Sequence, residues 1–324
     1  GVDPLVIPHG TTWGFYTPTG TTFDKHLKAE SRSERYRLLE IMSGHGNSEE
    51  FRDWRSVTAA EDGLTATCPA PRPDYLPMCW QAGEIIRDRC LEAGEDGATC
   101  EARAAAARLN AANSSVAAHL TVPGTKIEEW LDAGQCRDCF LPSFGYRPGG
   151  SAQYALALSN FDKNGAPTRF KWGFIASSDN HRARAGTGYK PIDRLRQTEA
   201  VRVSGQWRPR IFPKGERAAE TYVIDPELLM NLGFAATEME RQASFWTTGG
   251  LAAVHAQGRS RDAIFDALER RETYGTSGPR ILLWFNTVDG TPMGGTVRTD
   301  KGPVFEVKAV GSHKQKPGCP EGTL

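Results

Sequence analysis

Residues Trp172-Gly173-Phe174-Ile175-Ala176-Ser177-Ser178-Asp179-Asn180-His181 run from apolar side chains into small ones and then present Asp-x-His. A short apolar run bounded in this way reads as a buried strand, and side chains two positions apart share one face of a strand. A strand that stops here aims a carboxylate and an imidazole at one point, as hydrolytic metal sites do. The pattern recurs upstream, where Leu5-Val6-Ile7-Pro8 leads into His9-Gly10 and Leu38-Leu39-Glu40-Ile41-Met42-Ser43 leads into Gly44-His45-Gly46.

His9, Glu40, His45, Asp179 and His181 therefore stand at or just beyond strand ends, where parallel α/β sheets and barrels place their chemistry. Imidazole nitrogen and carboxylate oxygen together suit zinc, manganese or iron, whereas calcium favours all-oxygen ligation. A plainer reading stands beside each position. A single histidine next to a strand also serves as a hydrogen-bonded structural residue. Asp179 also reads as the cap of a following helix. Glu40 also reads as an exposed residue on a helix continuing from Ser33-Glu34-Arg35-Tyr36-Arg37.

Four motifs carry a resemblance: Pro8-His9-Gly10-Thr11-Thr12-Trp13-Gly14, Glu40-Ile41-Met42-Ser43-Gly44-His45-Gly46-Asn47-Ser48-Glu49-Glu50, Ala176-Ser177-Ser178-Asp179-Asn180-His181 and Arg271-Glu272-Thr273-Tyr274-Gly275-Thr276-Ser277-Gly278-Pro279-Arg280. In this order they resemble the family catalogued as domain of unknown function 3604, which is similar to the PHP (polymerase and histidinol phosphatase) metal-dependent hydrolases. The resemblance implies an α/β fold, a PHP-like distorted (β/α) barrel with two or three divalent metals at its C-terminal face. It makes His9 the lone histidine of the second PHP motif, Glu40 and His45 the central pair, and Asp179 with His181 the closing Asp-x-His. A PHP site opens with His-x-His, and that pattern is absent from these residues. Truncation accounts for the gap: the chain starts at Gly1-Val2-Asp3-Pro4 with no initiator Met and no signal peptide, so the expectation is that a missing N-terminal segment completes the metal site.

The expected organisation is a first part of the barrel over residues 1–67, a helical disulfide-bearing insertion over 68–142, a second part of the barrel over 143–280, and the start of a C-terminal β-rich domain over 281–324. Alternating strands and helices, such as the helix over residues 261–270 with Ser260 as N-cap and Ile264, Phe265 and Leu268 on one face, argue for parallel pairing. After Gly278-Pro279, the alternation of Val304-Phe305-Glu306-Val307-Lys308-Ala309-Val310 reads as antiparallel strand.

Six of the seven cysteines fall at Cys68, Cys79, Cys90, Cys100, Cys136 and Cys139, a localised even set that points to an oxidising compartment, periplasmic or secreted. Residues 77–91 and 99–112 read as two helices about a turn, and a Cys90 to Cys100 bridge would staple them beside it. Cys136-x-x-Cys139 closes on itself, reaches back to Cys68 or Cys79, or binds zinc, and Cys319 is left over.

The 39 basic residues balance 39 acidic ones, so no overall field recruits nucleic acid or an acidic membrane, and no apolar run approaches membrane-spanning length. Gly145-Tyr146-Arg147-Pro148-Gly149-Gly150-Ser151 lacks the Gly-Lys-Ser/Thr ending of a nucleotide loop and reads as a turn into a helix over residues 152–158; Thr187-Gly188 reads as loop. Gly-x-Ser-x-Gly is absent, which weakens a serine-hydrolase reading. The expectation is a secreted metal-dependent hydrolase working through a metal-activated water, with Asp179 in the chemistry and Arg182 and Arg280 neutralising charge on a phosphate-like group of a small-molecule anionic substrate; the resemblance to PHP enzymes implies a phosphoester or similar anionic ester. The alternative is a non-catalytic extracellular binding or scaffold protein that keeps the barrel.

Overall fold

The computed structural model describes residues 4–12, 23, 35–47, 54–61, 65–134, 150–161, 167–180, 186–190, 194–199, 217–224 and 244–311. In chain order the strands are β1 (Leu38–Ser43), β2 (Gly46–Asn47), β3 (Thr58–Ala59), β4 (Ala66–Thr67), β5 (Asn160–Phe161), β6 (Pro167–Thr168), β7 (Gly173–Ala176), β8 (Leu251–Val254), β9 (Thr273–Thr276), β10 (Leu282–Thr287) and β11 (Phe305–Val310). The α-helices are α1 (Met78–Glu92), α2 (Gly97–Asn113), α3 (Ala152–Ala157), α4 (Arg194–Gln197) and α5 (Arg261–Glu269). Among the described residues, β2-β1-β7 form a three-stranded sheet, and β3–β4, β5–β6, β8–β9 and β10–β11 form two-stranded pairs.

The sheet that carries the site is fixed by side-chain alternation along β1. Leu39 and Ile41 pack into an aromatic cluster of Phe23, Tyr36, Phe170 and Trp172, in which Phe170 stacks on Trp172 with ring centroids 4.2 Å apart. Glu40 and Met42, on the alternate positions, face the other way. β7 runs parallel to β1, with Leu38 opposite Gly173, Glu40 opposite Ile175 and Met42 opposite Ala176. The register shifts between Glu40 and Met42, a bulge of the kind that re-aims side chains beside active sites. Leu38 and Leu39 are fully buried, worth about 1.5–3 kcal/mol each against an exposed position.

Both apolar runs expected to end at Gly44-His45 and Ser177-Ser178 are strands, and Glu40 lies on a strand rather than an exposed helix. The first run differs: residues 4–9 are irregular, and the Val6 N–H donates to the Arg35 carbonyl at 3.0 Å. Pro4 and Pro8 have no N–H to give a ladder, and Val6 stays 50% exposed, so no second buried face holds the segment in a sheet.

Parallel pairing about the helix over residues 261–269 is also corrected. β8 and β9 flank α5 and pair antiparallel, Leu251 with Thr276 through Val254 with Thr273, and the His255 N–H closes onto the Glu272 carbonyl at 2.9 Å. A parallel crossover needs a helix that covers a sheet face, and α5 buries only Ala267 fully while Ile264 is exposed, so it serves as the long loop of a hairpin. Ser260 caps it as expected, accepting the Ala263 N–H at 3.2 Å. The hairpin lies against β7: a Cβ on Gly275 would meet the Ala176 Cβ at 2.8 Å, so only glycine permits this approach.

The helical segment follows the sequence closely. Asp96 caps α2 by accepting the Ala98 and Thr99 N–H groups at 2.9 and 3.0 Å, and Gly94 turns the chain between the helices at φ 83°. Ala104, Ala107 and Ala111 face inward with essentially no exposure. Cys90 and Cys100 form the expected disulfide, with Cα atoms 5.4 Å apart. Cys68 and Cys79 bond to each other, Cα atoms 5.8 Å apart, which closes the route by which Cys136 or Cys139 would reach either of them. Cys136, Cys139 and Cys319 lie outside the described residues. α3 begins at Ala152 with Ser151 as its cap. β10 and β11 are antiparallel as read, with every residue of β11 exposed. No helix among the described residues is long and apolar enough to cross a membrane.

Candidate functional site

Four of the sequence-derived residues meet at the C-terminal side of β1 and β7: Glu40 within β1, His45 and Asp179 just past the two strand ends, and His9 from the preceding segment. Glu40 is 4% exposed and surrounded by donors: Ser177 Oγ donates to its Oε1, the Gly10 N–H donates to its Oε2 at 3.4 Å, and His9 Nδ1 lies 2.9 Å from the same Oε2. A carboxylate this buried is tolerated because each oxygen has a partner. Thr12 fixes the loop from the other side, its hydroxyl donating to the Glu40 carbonyl at 3.2 Å.

Asp179, three residues past the end of β7, takes a left-handed conformation, φ 46°, which aspartate accepts more readily than most residues. Its Oδ2 lies 2.9 Å from Nδ1 of the buried His45 and 3.5 Å from Nε2 of His9. Oδ2 is itself buried and carries no hydrogen bond among the described residues. The two strand ends meet because residue 44 is glycine: a Cβ there would fall 2.4 Å from the Ser178 carbonyl oxygen. The backbone contact between Gly44 and Ser178 sets His45 and Asp179 against each other.

His9 bridges the two carboxylates, one ring nitrogen on Glu40 and the other toward Asp179. A carboxylate on one nitrogen fixes the tautomer and turns the other nitrogen to a metal in many metal sites. Among the described residues no three His, Cys, Asp or Glu side chains form a ready-made coordination group. The donor chemistry fits a transition ion all the same, since a buried carboxylate oxygen without a hydrogen bond faces two imidazole nitrogens. Donors on metal arms of about 2.1 Å stand about 3.0–3.4 Å apart, the scale of the two spacings seen here.

His181 and Arg182 lie outside the described residues. Arg280 is exposed at the turn after β9, with Nη2 4.0 Å from where a Cβ on Gly186 would sit, and it touches none of the four clustered head groups among the described residues.

Lys190 is the residue that sequence reasoning missed. It is 3% exposed, and its Nζ would lie 3.7 Å from a Cβ on Gly44 and 3.8 Å from one on Gly188. Its N–H donates to Thr248 Oγ1 at 3.1 Å, and the Gly249 N–H donates to the Gly188 carbonyl at 2.7 Å, so residues 248–249 hold the loop in place. Burial pulls the ammonium down to about 7, the opposing pull of Glu199 and Asp179 being weaker. Nothing periodic marks Lys190; its one sequence cue is its place in a glycine loop just after Asp-x-His.

Residues 159–316 match the family model described as "Protein of unknown function (DUF3604)". The matched range contains Asp179, Lys190 and Arg280 and leaves out His9, Glu40 and His45. No curated protein and no solved structure matches the chain.

Proposed function

We propose that the chain is a metal-dependent hydrolase of PHP-like barrel architecture, acting on a phosphoester or a similar anionic ester. The observation that carries this reading is the buried Asp179 Oδ2, which faces His45 Nδ1 at 2.9 Å and His9 Nε2 at 3.5 Å beyond the ends of parallel strands. His9, Glu40, His45, Asp179 and the undescribed His181 are the residues that would hold divalent ions. Such ions, when bound, lower the pKa of a coordinated water and polarise a substrate oxygen, so no serine or cysteine nucleophile is needed.

The chain's own groups prepare that chemistry. Ser177 and Gly10 hold Glu40 still, Glu40 orients the His9 ring, and the Gly44 contact with Ser178 holds His45 against Asp179. Arg182 and Arg280 neutralise an anionic leaving group or product. The parallel β1–β7 pair supports the barrel, since parallel neighbours are its building unit. The two disulfides support residence in an oxidising compartment, periplasmic or outside the cell.

The test is metal analysis of the purified chain together with hydrolysis of phosphate mono- and diesters. Stoichiometric zinc, manganese or iron with turnover is expected, and Asp179→Ala should remove both, with activity falling more than about a hundredfold. A metal-free, inert protein would favour the binding or scaffold role.

A further inference from the structure

Lys190 is a buried cation without a close counter-ion. Among the described residues no hydrogen bond or ion pair engages its ammonium; the charges of Glu199 and Asp179 favour its protonated form and that of Arg194 opposes it. Withdrawing a charge from water without a partner is costly, so a buried ammonium of this kind is suited to an anion brought by a ligand. The surroundings say where such an anion would approach. Nζ sits beside Gly44 and Gly188, where hydrogen atoms replace side chains, and the Ser178 carbonyl lies 3.5 Å from a Cβ placed on Gly188. Gly44 precedes His45 and Ser178 precedes Asp179, so the ammonium stands beside the same two strand ends that bring the carboxylate and imidazole together.

The position is also rigid. Besides the clips from Thr248 and Gly249, the Gly188 N–H donates to Gln197 Oε1 at 3.2 Å, and the Gly250 N–H donates to the Ser177 carbonyl at 2.7 Å. Arg194, one turn of α4 before the buried Thr198 and Glu199, cannot share the role. Its guanidinium already donates to the Leu131, Ala133 and Phe245 carbonyls and lies 3.4 Å over the Phe245 ring.

We propose that Lys190 is a substrate-binding residue whose ammonium grips a phosphoryl oxygen of the substrate while the His45–Asp179 end of the site meets the scissile bond. The inference rests on the hydrolase reading of that cluster and names its specificity determinant. A lysine is suited to this as a compact point charge with three donors, where the planar fork of arginine would need more room than the glycine-walled loop leaves. Burial favours the neutral amine, and an arriving dianion would restore the charged form, so binding draws in a proton.

Calorimetry of inorganic phosphate binding to the full chain tests this without need of turnover. Wild type is expected to bind, Lys190→Met to bind about tenfold to a hundredfold more weakly, and Lys190→Arg to recover part of the loss. Equal affinity in wild type and Lys190→Met, or no binding by wild type, overturns the proposal. With p-nitrophenyl phosphate as substrate Lys190→Met should raise KM more than it lowers kcat, while its metal content stays that of wild type. Absence of metal and of turnover in wild type would fell the hydrolase reading, whereas the phosphate affinities decide Lys190 separately. Should Lys190→Met not fold, carbamoylation of wild-type Lys190 by cyanate, mapped by mass spectrometry, gives the second measurement: inorganic phosphate should slow it, and an unchanged rate overturns the assignment.

Discussion

In the α1–α2 hairpin the buried Arg89 donates to the Pro123 carbonyl at 2.8 Å and to Glu129 at 3.1 Å, whereas at the ends of β1 and β7, among the described residues, Asp179 keeps a buried oxygen with no hydrogen bond and Lys190 keeps a buried side chain with no ion pair. The helical region pairs its charged groups, although the Nε atoms of Arg89 and Arg108 are themselves buried without a hydrogen bond. Its cations meet carboxylates, as Arg108 does with Glu84 and Glu101 at 2.8 and 2.7 Å, and its helices are cross-linked by sulfur. The strand-end region leaves groups of both signs open toward one another. A region built for stability satisfies its charges, and a region built for chemistry holds some of them ready.

The largest effect that separates the two is pH-dependent. The folded Lys190 sits at about 7 against an ordinary 10.5, so between those values the unfolded chain binds a proton that the folded chain does not. Its contribution to stability therefore rises with pH across that window, by a total on the order of 5 kcal/mol. Relative to wild type, Lys190→Met should be most favoured at pH 7 and lose that advantage by pH 10, as read from denaturant midpoints; a constant difference would deny the ammonium its burial. Removal of the Cys90–Cys100 bridge by a double alanine substitution should cost about 2.5–3 kcal/mol for a loop of this size and leave metal content and phosphate binding untouched. Loss of phosphate binding in that variant would break the separation between the regions.

Two glycines sharpen the contrast at smaller scale. Gly44→Ala pushes a Cβ into the Ser178 carbonyl and should cost about 1–3 kcal/mol while lowering kcat, because the strand ends must part. Gly97→Ala, in the first turn of α2 with nothing within 4 Å of the new Cβ, should gain about 0.4–1 kcal/mol and leave kcat alone. Thermal melts and steady-state kinetics read both.

Local signals explain how much the sequence disclosed. The helices α1 and α2, the Ser260 cap, the Cys90–Cys100 bridge, the strand that carries Glu40 and the strand that leads to Asp179 each have a cue within a few residues: a cap, a turn, a periodic face. The meeting of His9, Glu40, His45 and Asp179 was legible because each follows or sits in an apolar run. The segment before His9 misled because its apolar residues have no sheet to enter, with prolines at 4 and 8 denying the ladder. The β8–β9 orientation misled because helix length alone does not reveal how little of α5 is buried. Lys190 left only the cue of its glycine loop, because its burial depends on the approach of residues 44 and 248, which are distant in the chain.

Ser177 gives the site a mechanical character. Its N–H donates to the Met42 carbonyl at 2.9 Å, its carbonyl accepts the Gly250 N–H at 2.7 Å, and its hydroxyl reaches Glu40. One small residue thus acts as a rivet through three segments of backbone. Any sideways strain introduced at residues 248–250 travels through it to Glu40 and onward to the tilt of the His9 imidazole, so tuning of that ring is open to changes far from it along the chain.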